Sequence, residues 1–215
     1  MRQYAVKPII TAYPPPFVFD QDMRPKQTLV RQDGAFVMRV KKDPAQILQP
    51  DCATLLFDTE YIKANFVQGF HVAGGFLFSS GDLVYEVPCD PYLYFHGEEQ
   101  SIAVRAFTRA WTIFHPHHDL IPICHLYKQP NHQLASVHWN AEHEKHRRIK
   151  WVKLKERSDR TLCDLLYQRR KNMAYGLGDQ RSLVEFITMS GLDYPNLSIR
   201  EPAEPQKIFL EADNK

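Results

Sequence analysis

Two adjacent carboxylates, Glu98 and Glu99, directly follow Gly97 and open a segment with helical spacing of apolar residues. This order predicts a helix N-terminus, where the partial positive charge and the free backbone N–H groups stabilise anions. Because the apolar run 92–95 comes just before the turn, we expect the carboxylates at the mouth of a core. A carboxylate held there can orient a hydroxyl nucleophile, assist its deprotonation or stabilise a developing cation. The alternative is an acidic first turn that has no chemical role.

Histidines could supply a second chemistry, because eight of the ten lie between residues 115 and 146. Imidazoles at such density can bind a metal ion. The group at 138–146 is more typical of a solvated helix face, and the group at 115–118 of a surface loop. His125 ends an apolar segment, so it is either a ligand pointing into a cleft or a core histidine. A histidine-rich metal hydrolase is disfavoured because no HExxH-type spacing occurs.

An Asp-x-Asp sequence, Asp20-Gln-Asp22, follows the apolar residues 17–19. Paired carboxylates after a buried strand can hold Mg²⁺ or Mn²⁺ against a diphosphate. The pattern is common, however, and the proline-rich flanks here favour a loop.

Strands and helices must position these groups, and their patterns alternate along the chain. We predict a hairpin between 28–31 and 35–40, turning at Asp33-Gly34. Further strands are predicted at 9–12, 68–81, 111–114 and 121–125. Helices are predicted at 98–109, 141–175 and 179–189, the last ended by Gly191. The fold class expected is therefore a mixed α/β or α+β domain.

Composition narrows the classes of function. The chain has 215 residues, 44% of them hydrophobic, and a net charge of +2, which suits a globular domain and indicates no nucleic-acid partner. Four dispersed cysteines without a CxxC pair indicate neither a zinc ribbon nor a dense disulfide framework, and favour a reduced, cytoplasmic setting. No run of 18 apolar residues occurs, so no membrane segment is predicted.

Seven motifs occur in a fixed order along residues 8 to 195. They are Ile10-Thr-Ala-Tyr-Pro-Pro15, Gly74-Gly-Phe-Leu-Phe-Ser79, Val87-Pro-Cys-Asp-Pro91, Phe95-His-Gly-Glu-Glu99, Arg105-Ala-Phe-Thr108, His125-Leu-Tyr-Lys128 and Tyr175-Gly-Leu-Gly-Asp-Gln-Arg-Ser-Leu183. In this order they resemble the glycosyltransferases that attach GlcNAc to polypeptides, at hydroxyproline, serine or threonine.

The resemblance implies a GT-A-like nucleotide-sugar fold, UDP-GlcNAc as donor, a polypeptide acceptor, a divalent cation (Mn²⁺ or Mg²⁺) and retention at the anomeric carbon. It also implies roles for individual residues. Glu98 and Glu99 would be catalytic, beside the donor and acceptor, and His125 would reach the metal. Substrate-binding roles would fall to three glycines that line the sugar cleft, Gly74, Gly75 and Gly97. Asp90 would hold the loop before the helix and is counted with them.

One departure from the family pattern concerns the donor site. The matched motifs belong to the C-terminal part of the family's catalytic domain, and the upstream Asp-x-His motif has no counterpart before them here. We therefore expect residues 1–200 to form that C-terminal part, with a separate N-terminal half as a candidate partner, and 201–215 to be a polar tail without fixed structure. The rival interpretation is a degenerate paralogue that serves as a binding module without a donor site.

Overall fold

A computed structural model describes residue 3 and residues 5–28, 33–43, 47–95, 97–127, 140–168 and 174–210. The strands are β1 (Pro8–Thr11), β2 (Phe17–Phe19), β3 (Pro25–Gln27), β4 (Ala35–Val40), β5 (Phe57–Ile62), β6 (Phe66–Gly69), β7 (Leu77–Ser79), β8 (Thr112–Pro116), β9 (Leu192–Asp193), β10 (Ser198–Ile199) and β11 (Lys207–Ile208). The helices are α1 (Asp82–Glu86), α2 (Glu98–Thr108), α3 (Ala141–Lys145), α4 (Trp151–Leu166) and α5 (Leu183–Ser190), with a 3-10 turn at His118–Leu120. The fold is thus mixed α/β, as predicted.

A mixed five-stranded sheet forms the centre, in the order β11-β6-β8-β1-β7. β1 runs parallel to β8, with Ile9 opposite Ile113, and antiparallel to β7. β6 pairs antiparallel with β8 on the other side. Ile9 and Ile113 are buried, as expected of strands covered by other elements.

Helix α2 lies between two parts of the core. Ala103 and Ala106 pack with the sheet residues Ile9 and Ile113. Val104 and Phe107 face the other way, toward apolar side chains of α4 and α5 such as Leu162 and Phe186. The helix predicted at 98–109 is therefore confirmed, and its acidic first turn is held by packing on both sides.

Helices α4 and α5 complete the layer that faces α2. Within 141–175 the described residues form two helices, α3 and α4, rather than one. α5 begins with a capping box in which Ser182 and Glu185 bond each other's backbone N–H groups, and it ends at Gly191, whose φ is 77°. A Cβ at Gly191 would lie 2.3 Å from the carbonyl oxygen of Arg200, so glycine is required at this turn. The predicted stop at Gly191 is confirmed.

Two strand predictions need correction, and a third falls partly outside the described residues. β4 pairs with β5, with Ala35 opposite Ile62, and residues 29–32, on which the hairpin predicted between 28–31 and 35–40 depends, lie outside the described part of the chain. A Cβ at Gly34 would lie 2.7 Å from the Ile62 carbonyl oxygen, so the two strands approach closely at this end of the pair. Residues 68–81 divide into the end of β6 and β7, because the glycines at 74 and 75 interrupt the strand. Residues 121–125 form no strand and contribute only a bridge between His125 and Pro16.

The tail prediction fails for residues 201–210. Lys207–Ile208 pairs with β6 as an edge strand, and the Ile208 side chain is buried against Phe66 and Phe114. Burial of the isoleucine side chain contributes about 1.5–3 kcal/mol to this pairing. Residues 211–215 lie outside the described part of the chain. Among the helices that the structure describes, none combines the length and the apolarity needed to cross a bilayer.

Candidate active site

The Glu99 side chain is held at the start of α2 by a backbone group from a distant turn. The N–H of Gly74 donates a hydrogen bond of 2.6 Å to Glu99 Oε1. Burial raises the pKa of Glu99; the Gly74 hydrogen bond lowers it in part, and the neighbouring Glu98 raises it further. A half-buried carboxylate with a raised pKa exchanges protons more readily near neutral pH than an exposed one does.

The turn that carries Gly74 is fixed by β1. The Thr11 hydroxyl donates to the carbonyl of Phe76 at 2.7 Å and accepts from the N–H of Ala73 at 2.9 Å. Glycine suits this turn because a Cβ at Gly74 would lie 3.2 Å from Glu99 Oε1. A Cβ at Gly75 would lie 3.3 Å from the ring of Pro14. The Ile-Thr-Ala-Tyr-Pro-Pro motif and the Gly-Gly motif are therefore in contact, although some sixty residues separate them.

A cleft of about 260 Å³ opens beside Glu99. Its lining combines one cation, two carboxylates, aromatic rings and aliphatic side chains: Tyr13, Lys41, Leu55, Leu56, Phe57, Asp58, Gly97, Glu99 and Gln100. The floor is rigid, because the buried Gln100 side chain accepts from the N–H of Leu55 at 2.8 Å and donates to the carbonyl of Ala53 at 3.0 Å.

Two tyrosines share the electrostatic environment of Glu99. Burial raises the pKa of Tyr13, and the charges of Glu99 and Asp58 raise it further. Burial and the Glu99 charge likewise raise the pKa of Tyr127, whose hydroxyl donates to the Pro14 carbonyl at 3.0 Å. Both phenols therefore stay protonated. Because the Tyr127 O–H already donates to Pro14, Tyr13 is the phenol that can donate a hydrogen bond next to the carboxylate.

Glu98 and Gly97 complete the helix start. Gly97 adopts φ 91°, and a Cβ there would lie 2.8 Å from Leu162 Cδ2 of α4. Glu98 Oε2 is buried and has no hydrogen-bond partner among the described residues. A buried carboxylate oxygen without a partner is costly, so Glu98 retains capacity to accept a hydrogen bond from a bound group.

The loop before α2 is braced from two sides. Asp90 Oδ1 accepts from the N–H of Tyr92 at 2.8 Å, a contact that holds the turn and lies away from the cleft lining. Arg105 is almost fully buried, and burial lowers its pKa to about 10. It donates to the Pro88 carbonyl at 2.8 Å and lies over the Tyr175 ring. The Arg105 and Tyr175 motifs are therefore structural supports of this loop.

His125 does not belong to a metal-binding group in the described structure. Its side chain is exposed and packs edge-on against Tyr127. Among the described residues, no three His, Cys, Asp or Glu side chains come close enough to share a metal ion. The described residues by themselves therefore do not supply a site for a divalent cation, and the cation that the resemblance implies stays a prediction.

The remaining histidine and aspartate candidates have local roles where they are described. His115 is fully buried with Nδ1 2.9 Å from the Thr11 carbonyl oxygen, and its ring lies over Gly69. His118 is buried as well, so these two are core residues instead of the predicted surface loop. His138 lies outside the described residues. Asp20 Oδ1 accepts from the N–H groups of Asp22 and Arg24, so the Asp-x-Asp sequence forms the β2–β3 turn.

The structure thus brings Gly74, Gly97 and Glu99 together, with Glu98 adjacent in sequence, and leaves Asp90 outside the cleft lining. Sequence reasoning missed Tyr13 and Gln100. Two signals in the sequence could have indicated them: Tyr13 directly precedes three prolines, and Gln100 directly follows the paired glutamates.

Comparison with known proteins identifies the family. The family described as Glycosyltransferase (GlcNAc) matches residues 1–196, and the chain belongs to it. No curated protein and no solved structure shows significant similarity to the chain.

Proposed function

We propose that the chain forms the acceptor side of a GT-A-like transferase that moves GlcNAc from UDP-GlcNAc to a hydroxyl of a polypeptide. Membership of the GlcNAc glycosyltransferase family gives the reaction class. The observation that carries the residue-level proposal is the half-buried Glu99, held by the Gly74 N–H beside a cleft. The mixed sheet, with its parallel β1–β8 pair flanked by antiparallel strands, is compatible with a GT-A-like fold.

In this proposal the acceptor oxygen forms a bond to the anomeric carbon as the bond from that carbon to the UDP oxygen breaks. The hydroxyl approaches from the face that UDP leaves, so configuration is retained. Glu99 orients the hydroxyl through a hydrogen bond, Glu98 supports the developing positive charge of the sugar ring, and the proton passes to the departing diphosphate. Gly74 and Gly75 let the sugar approach the backbone closely.

Several parts of the proposal rest on the resemblance alone. These are the donor, the retention of configuration, the dependence on Mn²⁺ or Mg²⁺ and a second polypeptide segment that would complete the donor site. The described residues do not form a cation site, and the roles given to Glu98, Glu99 and the glycines do not depend on a metal ion. A cytoplasmic setting is also proposed, and the four free cysteines favour it.

The test combines binding with turnover. UDP and UDP-GlcNAc are titrated calorimetrically into the protein with and without Mn²⁺, and release of UDP is followed with peptide acceptors containing serine, threonine or hydroxyproline. With the donor site complete, we expect Glu99→Gln to lower turnover by about 10²-fold, because the group that orients the hydroxyl is altered. Donor affinity should be kept, because the amide oxygen can still accept the Gly74 hydrogen bond.

Glu201→Gln serves as the matched control, since that carboxylate is 84% exposed. Unchanged turnover in Glu99→Gln would remove the assigned role. Absence of heat with both nucleotides would favour the binding-module interpretation for the chain by itself.

A further inference from the structure

Positive charge is concentrated in one segment of the chain. Residues 145–160 contain eight lysines and arginines against two acidic residues, whereas the whole chain has 27 and 25. The rest of the molecule is therefore net acidic. The segment covers the end of α3, the connection to α4 and the first ten residues of α4.

Six cations of this segment are exposed. Five of them we call the α4 basic surface: Arg148, Lys150, Lys153, Arg157 and Arg160. None of these five forms a salt bridge within the described residues. The other cations of the segment are already paired: Lys155 with Asp159, Arg147 with Glu144 and Lys145 with Glu142. The exposed set therefore keeps charge that a partner could neutralise.

Apolar side chains are interleaved with these cations. Ile149 is 51% exposed, Val152 48% and Tyr92 53%, and the Arg157 guanidinium lies 5.4 Å from the centre of the Tyr92 ring. A polypeptide that carries both acidic and apolar side chains complements such a surface. A nucleic-acid backbone would match only the charges, and the net acidic remainder of the chain would repel it.

The surface lies beside the candidate active site. Ser158 of α4 accepts a hydrogen bond of 3.0 Å from the N–H of Tyr94, and Leu162 underlies Gly97. The chain before α2 therefore contacts α4 at Tyr94 and at Gly97, the residue directly before the two glutamates. Tyr92, which contacts Arg157, is five residues from Gly97, and five residues span at most about 18 Å. A peptide bound at Arg157 therefore needs only a few more residues to reach the start of α2.

We propose that the α4 basic surface docks an acidic segment of the polypeptide acceptor and so directs a nearby hydroxyl to the cleft. The acceptor role rests on the proposed function, but the docking itself does not. The surface selects its partner by charge and accelerates the encounter, an effect that falls with ionic strength.

The experiment measures binding without turnover. A fluorescent peptide in which glutamate alternates with leucine and serine is titrated with the protein, and anisotropy is recorded at low and at physiological salt. The variant is Lys153→Glu/Arg157→Glu, and the matched control is Lys26→Glu/Lys63→Glu, which changes the net charge equally at exposed positions elsewhere.

We expect the α4 variant to bind the peptide roughly tenfold more weakly and the control to bind like wild type, because two exposed ion pairs are replaced by repulsion. A milder variant, Lys153→Gln/Arg157→Gln, should lie between them. Matching circular dichroism spectra and melting temperatures establish that each variant is folded.

The proposal is overturned if the α4 variant and the control bind the peptide alike, or if wild type does not bind it. It is also overturned if a thymidine oligonucleotide or phosphatidylserine vesicles bind more tightly and displace the peptide. Turnover separates the two proposals. If Glu99→Gln leaves UDP release unchanged while peptide binding still needs Lys153 and Arg157, the role assigned to Glu99 fails and the docking surface stands.

Discussion

Replacing Gly97 by alanine tests the helix start that places both glutamates. The residue has φ 91°, and an added Cβ would lie 2.8 Å from Leu162 Cδ2, on a buried side chain of α4. The left-handed backbone costs a non-glycine residue about 1–2 kcal/mol, and overpacking a core typically costs about 1–3 kcal/mol. We therefore expect Gly97→Ala to lower the free energy of unfolding by about 2–5 kcal/mol.

The assay is urea denaturation followed by tryptophan fluorescence, with thermal unfolding as a second measurement. For a chain of this size each kcal/mol lowers the melting temperature by about 2–4 °C, so a fall of about 4–20 °C is expected. Gly81→Ala is the matched control. Gly81 has φ −59°, and an added Cβ would contact nothing within 4 Å, so its unfolding free energy should stay within about 1 kcal/mol of wild type.

A second variant separates the two contributions. Adding Leu162→Val shortens the side chain that the new Cβ meets, so Gly97→Ala should cost less in that background than in wild type. If Gly97→Ala alone stays within about 0.5 kcal/mol of wild type, the range of ordinary surface substitutions, then neither the turn nor the contact constrains the start of α2.

Two further predictions concern pH and the C-terminal strand. Burial lowers the pKa of His71 from 6.5 to about 3 and the pKa of His115 from 6.5 to about 4. Below pH 6.5 the unfolded chain therefore binds protons that the native protein does not bind. The free energy of unfolding should fall as the pH falls from 6.5 to about 4, by up to about 2.7 kcal/mol per pH unit for the two histidines together. Urea titrations across this range test it, and His115→Asn should flatten the slope; equal slopes in both proteins would contradict the assignment. Ile208→Ala should cost about 2–5 kcal/mol, and an unchanged urea midpoint would mean that β11 adds nothing to the fold.

Local signals made part of the fold predictable. The helix at 98–109 could be predicted because a glycine, two acids and an amphipathic repeat all lie within a dozen residues. The end of α5 could be predicted as well, because a glycine commonly ends a helix in the left-handed conformation that Gly191 adopts. Each of these features depends on neighbours in sequence, which is what a single sequence records.

Long-range pairing was not predictable in the same way. β4 pairs with β5 across the intervening residues 41–56, and no turn signal in the sequence indicated that pairing. The cleft has the same character: Tyr13 and Glu99 share it although 86 positions separate them. Register and site composition follow from packing between distant segments, and spacing within a motif carries no information on which motifs meet.

The hydrogen bond from Gly74 has a consequence for the conformational entropy of the site. It occupies one oxygen of Glu99 and fixes the side-chain rotamer while the second oxygen keeps its lone pairs. A free glutamate side chain loses about 1.5–2 kcal/mol of rotamer freedom when it is ordered. Here that loss occurs when the chain folds, so in the proposed reaction the acceptor hydroxyl would meet a carboxylate that is already immobile.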